Sequence, residues 1–215
     1  MKCFGYAVSS LGVAILSSLT LSCSSHPTIS ERESDVAHVE TEQSSAAEYE
    51  KILDKYSTGD TEYNGFYNSF GFHVAILNSE VIEASIKRQA FFYLWDQARI
   101  DSERDKAFKA ASESTDVFLS FFTPDKRDDN LATEKSIWRV LLDVGGKRYV
   151  GKIKKLKRNL SELITLYPFH TRWNTAYLVS FPIMVSQAET QNSKLTITGP
   201  LGVRSVEFSA KSPSQ

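Results

Sequence analysis

The chain has 215 residues, of which 41% are hydrophobic and 12% aromatic, and its formal net charge at pH 7 is −1. This apolar content is sufficient for a hydrophobic core, and the length predicts a single domain with a tail. Because the chain has almost no net charge, no long-range field attracts it to a polyanion, and we predict no nucleic-acid partner.

The first 22 residues have the three parts of a secretory signal peptide. Lys2 provides a positive start, residues 4–21 form an uncharged apolar stretch, and the small Ser22 precedes a candidate cleavage point. The only cysteines are Cys3 and Cys23, so a chain cut after Ser22 retains one cysteine and has no internal disulfide to form.

The stretch Leu19-Thr20-Leu21-Ser22-Cys23 at the end of this signal resembles the lipobox of bacterial lipoproteins. The resemblance implies that the Cys23 thiol is joined to diacylglycerol and that a dedicated signal peptidase then cuts the chain before Cys23. Further acylation, for example with palmitate, would hold the protein firmly on a bilayer, since each buried CH₂ contributes about 0.8 kcal/mol. We therefore expect a lipid-anchored protein of the bacterial cell envelope, in the periplasm at the outer membrane.

Two alternatives to lipidation stay open. An ordinary secretory signal cut near Ser22 or Ser25 would release a secreted domain, and an uncleaved apolar stretch would act as an anchor helix.

Residues 23–47 are predicted to be the lipidated Cys23 followed by a disordered tether. The segment is rich in Ser, Glu and Thr, contains Pro27 and has almost no large apolar side chain. It cannot bury enough surface to offset the entropy of ordering. Residues 48–212 then form a single folded domain.

The domain is predicted to begin with a helix, a strand and a helical insertion. A short helix covers 48–56 and is ended by Gly59 and Asp60, and alternating apolar residues at 70–77 predict the first strand. Asn78 or Ser79 caps a helix that continues to about residue 112, and the charged sequence after residue 100 indicates a break or a second helix.

Six further strands are predicted at 117–123, 136–144, 147–153, 176–183, 194–198 and 205–210, with a short amphipathic helix at 156–164. Gly145-Gly146 is a two-residue hairpin signal between two of these strands. The elements predict a mainly β, α+β fold, an antiparallel β-sandwich of about seven strands with one or two helices around residues 79–112. Their order loosely resembles that of immunoglobulin-like modules.

The most unusual sequence in the domain is Tyr167-Pro168-Phe169-His170-Thr171-Arg172-Trp173. Aromatic side chains beside a His and an Arg can line a pocket or form an interaction hot spot, and they can equally fill one end of a core. The candidate binding surface consists of Tyr167, Phe169, His170, Arg172 and Trp173.

A basic run between Asp143 and Glu162 suggests contact with an anionic partner such as lipid headgroups. The candidate residues are Lys147, Arg148, Lys152, Lys154 and Lys155. Because alternate residues of a strand point to opposite faces, not all of them can form one patch. The alternative is a solvated face whose lysines protect an edge strand from aggregation.

The sequence contains no persuasive nucleotide, metal or nucleophile motif. Residues 146–152 match the start of a phosphate-binding loop, but Ile153 stands where that motif needs Ser or Thr, so we predict no cofactor. His73 and His170 are the only histidines after the tether and have no third nitrogen or sulfur ligand for zinc, so we predict no metal.

These observations favour a non-enzymatic binding or assembly module of the envelope, whose partner is another envelope protein or an anionic lipid. The alternative is an envelope hydrolase that uses His170 or His73 with acidic neighbours, although no motif nominates a nucleophile.

Overall fold

The computed structural model describes residues 44–210, and within this range the chain forms five helices and nine strands. In chain order they are α1 (44–55), β1 (Ser57–Asn64), β2 (Tyr67–Ile76), α2 (Ser79–Tyr93), α3 (Gln97–Ala111), β3 (Thr115–Phe122), β4 (Arg139–Val144), β5 (Lys147–Val150), β6 (Lys152–Lys155), α4 (Leu160–Leu166), β7 (Thr175–Phe181), α5 (Val185–Ala188), β8 (Ser193–Gly199) and β9 (Gly202–Phe208). The predicted signal peptide at 1–22, Cys23 and the tether as far as residue 43 lie outside the described residues.

The strands form two antiparallel sheets, so the fold is α+β as predicted. The first sheet has five strands in the order β1-β2-β3-β7-β6, and the second has four in the order β5-β4-β8-β9. Buried apolar residues of both sheets belong to one hydrophobic cluster. At its centre the ring of Trp138, next to β4, lies 4.9 Å from the Phe70 ring and 5.1 Å from the Phe121 ring of the first sheet.

The central strand β3 is buried on both faces. Leu119 and Phe121 point towards the second sheet, whereas Phe118 and Ser120 point to the opposite face, where they contact the segment that follows α4. This double burial explains why residues 117–122 read as an almost continuous apolar run.

The described residues form nine strands, two more than the seven predicted. The sequence of β1 is polar because β1 is an edge strand, and Gly59 and Asp60 lie within it, paired with His73 and Phe72 of β2. They therefore do not end the helix, which stops at residue 55 and already includes residues 44–47, the last part of the predicted tether.

The second extra strand arises because the predicted strand 147–153 divides at Gly151. Its β5 half pairs in the second sheet and its β6 half in the first. A Cβ atom on Gly151 would lie 2.4 Å from Val179 Cγ1, so only glycine fits this corner. Residues 146–152, which match the start of a phosphate-binding loop, thus form a hairpin turn, a strand, a corner and the start of another strand. No helix follows Lys152 directly, as that motif would need.

The helical insertion consists of two helices. Asn78 caps α2 by accepting a hydrogen bond from Val81 N at 2.9 Å, and Asp96 caps α3 by accepting from Arg99 N at 2.8 Å. The break falls at Leu94, whose left-handed φ of 51° ends α2, and thus earlier than the charged sequence after residue 100 suggested. Among the described residues, no helix has both the length and the apolar character needed to cross a bilayer.

Candidate functional site

Three of the five predicted aromatic-surface residues face inward. The Tyr167 ring stacks on the Phe118 ring with 3.5 Å between centroids, and the Phe169 ring stacks on the His73 ring at 3.9 Å. His170 is 4% exposed. This part of the segment therefore covers the face of the first sheet opposite the second sheet, and packing accounts for much of its aromatic content.

His170 is tied to β3 by a buried hydrogen bond. Its Nδ1 lies 2.8 Å from Ser120 Oγ, which also accepts a hydrogen bond from Asn174 Nδ2 at 3.0 Å. The Ser120 hydroxyl can donate its own proton to His170 Nδ1 when the ring carries its proton on Nε2. Burial lowers the pKa of His170 and favours the neutral ring that accepts this bond.

The remaining two residues of the segment face outward. Trp173 is 66% exposed, and the Arg172 guanidinium carbon lies 5.5 Å from the centre of its ring. Lys126 Nζ donates a hydrogen bond to the Trp173 carbonyl at 3.0 Å. The structure thus divides the predicted surface into a packed half and an exposed half.

Tyr167 also lines the groove, a cavity of about 310 Å³ between α2, α3, the segment before α4, the end of α4 and the outer face of the first sheet. Its walls are largely apolar and include Leu77, Ile82, Ile86, Ala107, Leu166 and Leu178. This volume is at the lower end of the range of small-molecule pockets. The groove can take a compact apolar group.

One charge in the groove differs from the others in having no ionic partner. Arg158 pairs with Glu162 at 2.8 Å and Glu103 pairs with Lys106 at 3.1 Å, so their charges are locally balanced. Asp116 makes no such pair among the described residues, and its buried Oδ1 has no hydrogen-bond partner there. A carboxylate in an apolar groove favours a ligand that carries a hydrogen-bond donor or a positive charge.

Two elements beside the groove carry exposed apolar side chains. Leu94 is 82% exposed at the end of α2, and Leu160 and Ile164 on α4 are 42% and 41% exposed. A left-handed conformation costs a leucine about 1–2 kcal/mol. Helices often end on a residue in this conformation, so the strain at Leu94 belongs to the end of α2.

The predicted basic surface is divided between the two sheets. Lys147 and Arg148 lie on β5, and Arg148 forms a two-pronged pair with Asp143 at 2.7 and 2.9 Å, which lowers the pKa of that carboxyl. The lysines at 152, 154 and 155 lie exposed on β6, an edge strand of the first sheet. The corner at Gly151 separates the two groups.

The two histidines lie on the same face of the first sheet. Burial lowers the pKa of His73, and its buried Nε2 has no hydrogen-bond partner among residues 44–210. Within that range the structure contains no cluster of three His, Cys, Asp or Glu residues able to hold a metal ion.

The groove has no signature in the local sequence. Its walls come from segments far apart in the chain, and Asp116 directly precedes the predicted strand 117–123. Asp116 is the only charged residue in the stretch 115–122, and it is the signal that could have marked the groove.

Comparisons of the chain with protein-family models, with curated proteins and with solved structures find no significant match.

Proposed function

We propose that this chain is a lipid-anchored protein of the bacterial cell envelope whose folded domain is a non-enzymatic binding module. The anchor proposal rests on the signal-like residues 1–22 and the lipobox-like stretch ending in Cys23. The proposed site of attachment is the outer membrane, with secretion as the outcome if Cys23 is not lipidated.

The observation that carries the binding proposal is the groove with its unpaired Asp116. An apolar cavity with one convergent polar group is the usual form of a ligand site, because apolar contacts provide affinity and the polar group provides orientation. The proposed ligand is an apolar group with a donor or cationic end, supplied by a small molecule or by a side chain of an envelope protein.

A homologous series of ligands tests the groove. Decylamine, decanol and decanoate share an apolar chain and differ in charge, and titration calorimetry is expected to rank their affinities in that order. Asp116→Asn should weaken decylamine about tenfold, since a desolvated ion pair is replaced by a neutral contact. Ala107→Trp should block the groove, whereas Lys109→Trp on an exposed position of the same helix should not. Equal affinity for amine and carboxylate would contradict the assigned role of Asp116.

Radioactive palmitate tests the anchor separately. A bacterial host that expresses the full chain should label it, and Cys23→Ala should abolish the label. A wild-type chain that carries no label and still resists extraction from membranes by alkaline carbonate would instead support an uncleaved anchor helix.

The finer architecture is also a proposal. Contact of Phe70 and Phe121 with Trp138 supports a β-sandwich made of the two sheets. Immunoglobulin-like character stays a prediction from the order of elements.

One observation favours the alternative of an envelope hydrolase. The 2.8 Å distance from His170 Nδ1 to Ser120 Oγ is that of a nucleophile and its base. However, Ser120 is 0% exposed, so a substrate could not reach its hydroxyl in this conformation. The alternative therefore needs the segment at 167–173 to move, and trapping by a fluorophosphonate that is lost in Ser120→Ala would support it.

A further inference from the structure

The hairpin between β1 and β2 ends in a tip of five consecutive exposed residues, Tyr63-Asn64-Gly65-Phe66-Tyr67, which we call the aromatic tip. Tyr63 is 58% exposed, Phe66 is fully exposed and Tyr67 is 81% exposed. Among the other aromatic side chains of the described residues, Trp173 has the largest exposed fraction, at 66%. Gly65 has a φ of 61°, which turns the chain sharply enough to bring the three rings to one protruding end.

The aromatic tip projects beyond the rest of its sheet. Pairing between β2 and β3 begins only at Gly71 and Phe122, so the tip has no neighbouring strand on that side. It is therefore convex and cannot enclose a small molecule. Adjacent exposed aromatic side chains in such a position mark an interaction site.

The tip is also free of charge. Its five residues include no ionisable acid or base apart from the tyrosine hydroxyls, and the nearest carboxylate, Glu62, is paired with Arg204 at 3.0 Å. Removing this tip from water therefore desolvates no unpaired ion, which keeps the cost of insertion into an apolar phase low.

The same end of the first sheet carries a fourth exposed aromatic residue, Trp173, beside two cationic side chains. Trp173 lies just before β7, whose first residue pairs with Phe121 at the end of β3 nearest the tip. Arg172 lies over the Trp173 ring, and Lys126, which also pairs with Asp129 at 3.6 Å, donates to its carbonyl. Tyr and Trp beside Lys and Arg are the residues typical of the membrane–water interface.

We propose that this end of the domain docks on a lipid bilayer, with the aromatic tip inserted at the level of the headgroups. The docking uses the protein's own side chains, so it stands or falls independently of lipidation at Cys23 and of any ligand in the groove. It would fix the orientation of the domain on a membrane, which a long tether alone would leave free.

A chain of residues 24–215 tests the proposal, because it lacks the apolar signal and contains all of the described hydrophobic core. It should float in sucrose gradients with vesicles of phosphatidylethanolamine and phosphatidylglycerol. The double substitution Phe66→Ser with Tyr67→Ser should lower the partition coefficient about tenfold or more. Leu94→Ser, at a side chain as exposed as Tyr67 but on the turn between α2 and α3, should leave it unchanged. Urea unfolding of each variant verifies that both are folded.

An environment-sensitive dye identifies the face in contact. The chain 24–215 has no cysteine, so Asn64→Cys and Ser186→Cys each provide one exposed labelling position, at the tip and on α5. Dye at residue 64 should brighten with vesicles and dye at residue 186 should not. No flotation, flotation that survives the double substitution, or brightening at residue 186 alone would overturn the proposal. The wild type could fail to float but bind insoluble peptidoglycan. If the double variant then loses that binding, the tip is assigned to a polysaccharide instead.

Discussion

Replacing Ser120 with alanine removes the hydroxyl that links β3 to the segment after α4. The Ser120 Oγ atom is 2.8 Å from His170 Nδ1 and 3.0 Å from Asn174 Nδ2, and both contacts are lost in Ser120→Ala. The methyl side chain fits the same space, so the substitution creates almost no cavity.

The expected cost follows from the groups left behind. His170 is 4% exposed, so its Nδ1 loses a partner that water cannot replace, at about 1–3 kcal/mol. Asn174 is only partly buried, and its amide can turn to solvent at little further cost. The unfolding free energy should fall by about 1–3 kcal/mol, or roughly 2–4 °C in Tm for each kcal/mol.

Urea unfolding of a chain of residues 24–215, followed by tryptophan fluorescence, measures this change. Ser205→Ala is the matched control, because Ser205 lies on a strand and shares a 2.9 Å hydrogen bond with Thr196 at a partly exposed position. That variant should lose less than about 0.5 kcal/mol. Ser120→Ala with unchanged stability would refute the structural role of the hydroxyl and favour the hydrolase alternative.

Three further predictions concern backbone strain and pH. Gly151→Ala should destabilise the fold by about 1–3 kcal/mol in urea unfolding, because its Cβ would lie 2.4 Å from Val179 Cγ1; an unchanged midpoint would contradict the tight corner. Leu94→Gly should stabilise it by about 0.5–1 kcal/mol, since relief of the left-handed strain exceeds the entropy lost by glycine; loss of stability would contradict this. Burial lowers the pKa of His73 and His170 below 6.5, so the unfolded chain binds more protons than the folded chain at acidic pH. Tm should therefore fall as the pH drops below about 6.5, and a Tm that rises on acidification would contradict the lowered pKa values.

Strands that are buried on both faces were the easiest to predict. Residues 117–123 and 176–183 are mostly apolar, and the structure contains β3 and β7 at these positions. The polar edge strand β1 escaped prediction because Gly59 and Asp60 are typical of turns, although Asn64-Gly65 is a strong hairpin signal. Edge strands bury little, so their pairing depends on a neighbour that local sequence does not reveal.

The candidate site was likewise predictable from local sequence only in part. The unusual composition of residues 167–173 nominated this segment, but the inward direction of Tyr167 and His170 depends on β3, about 50 residues earlier. Likewise, Asp116 faces the groove because of strand register and helix packing, neither of which has a local signature.

Intact mass spectrometry of the protein purified from bacterial membranes tests the proposed identity most directly. A lipid-anchored protein should begin at Cys23 and carry the added mass of a diacylglyceryl group and any further acyl chain. An unmodified chain that begins near Ser22 or Ser25, or one that retains residues 1–22, would contradict a lipid-anchored binding module.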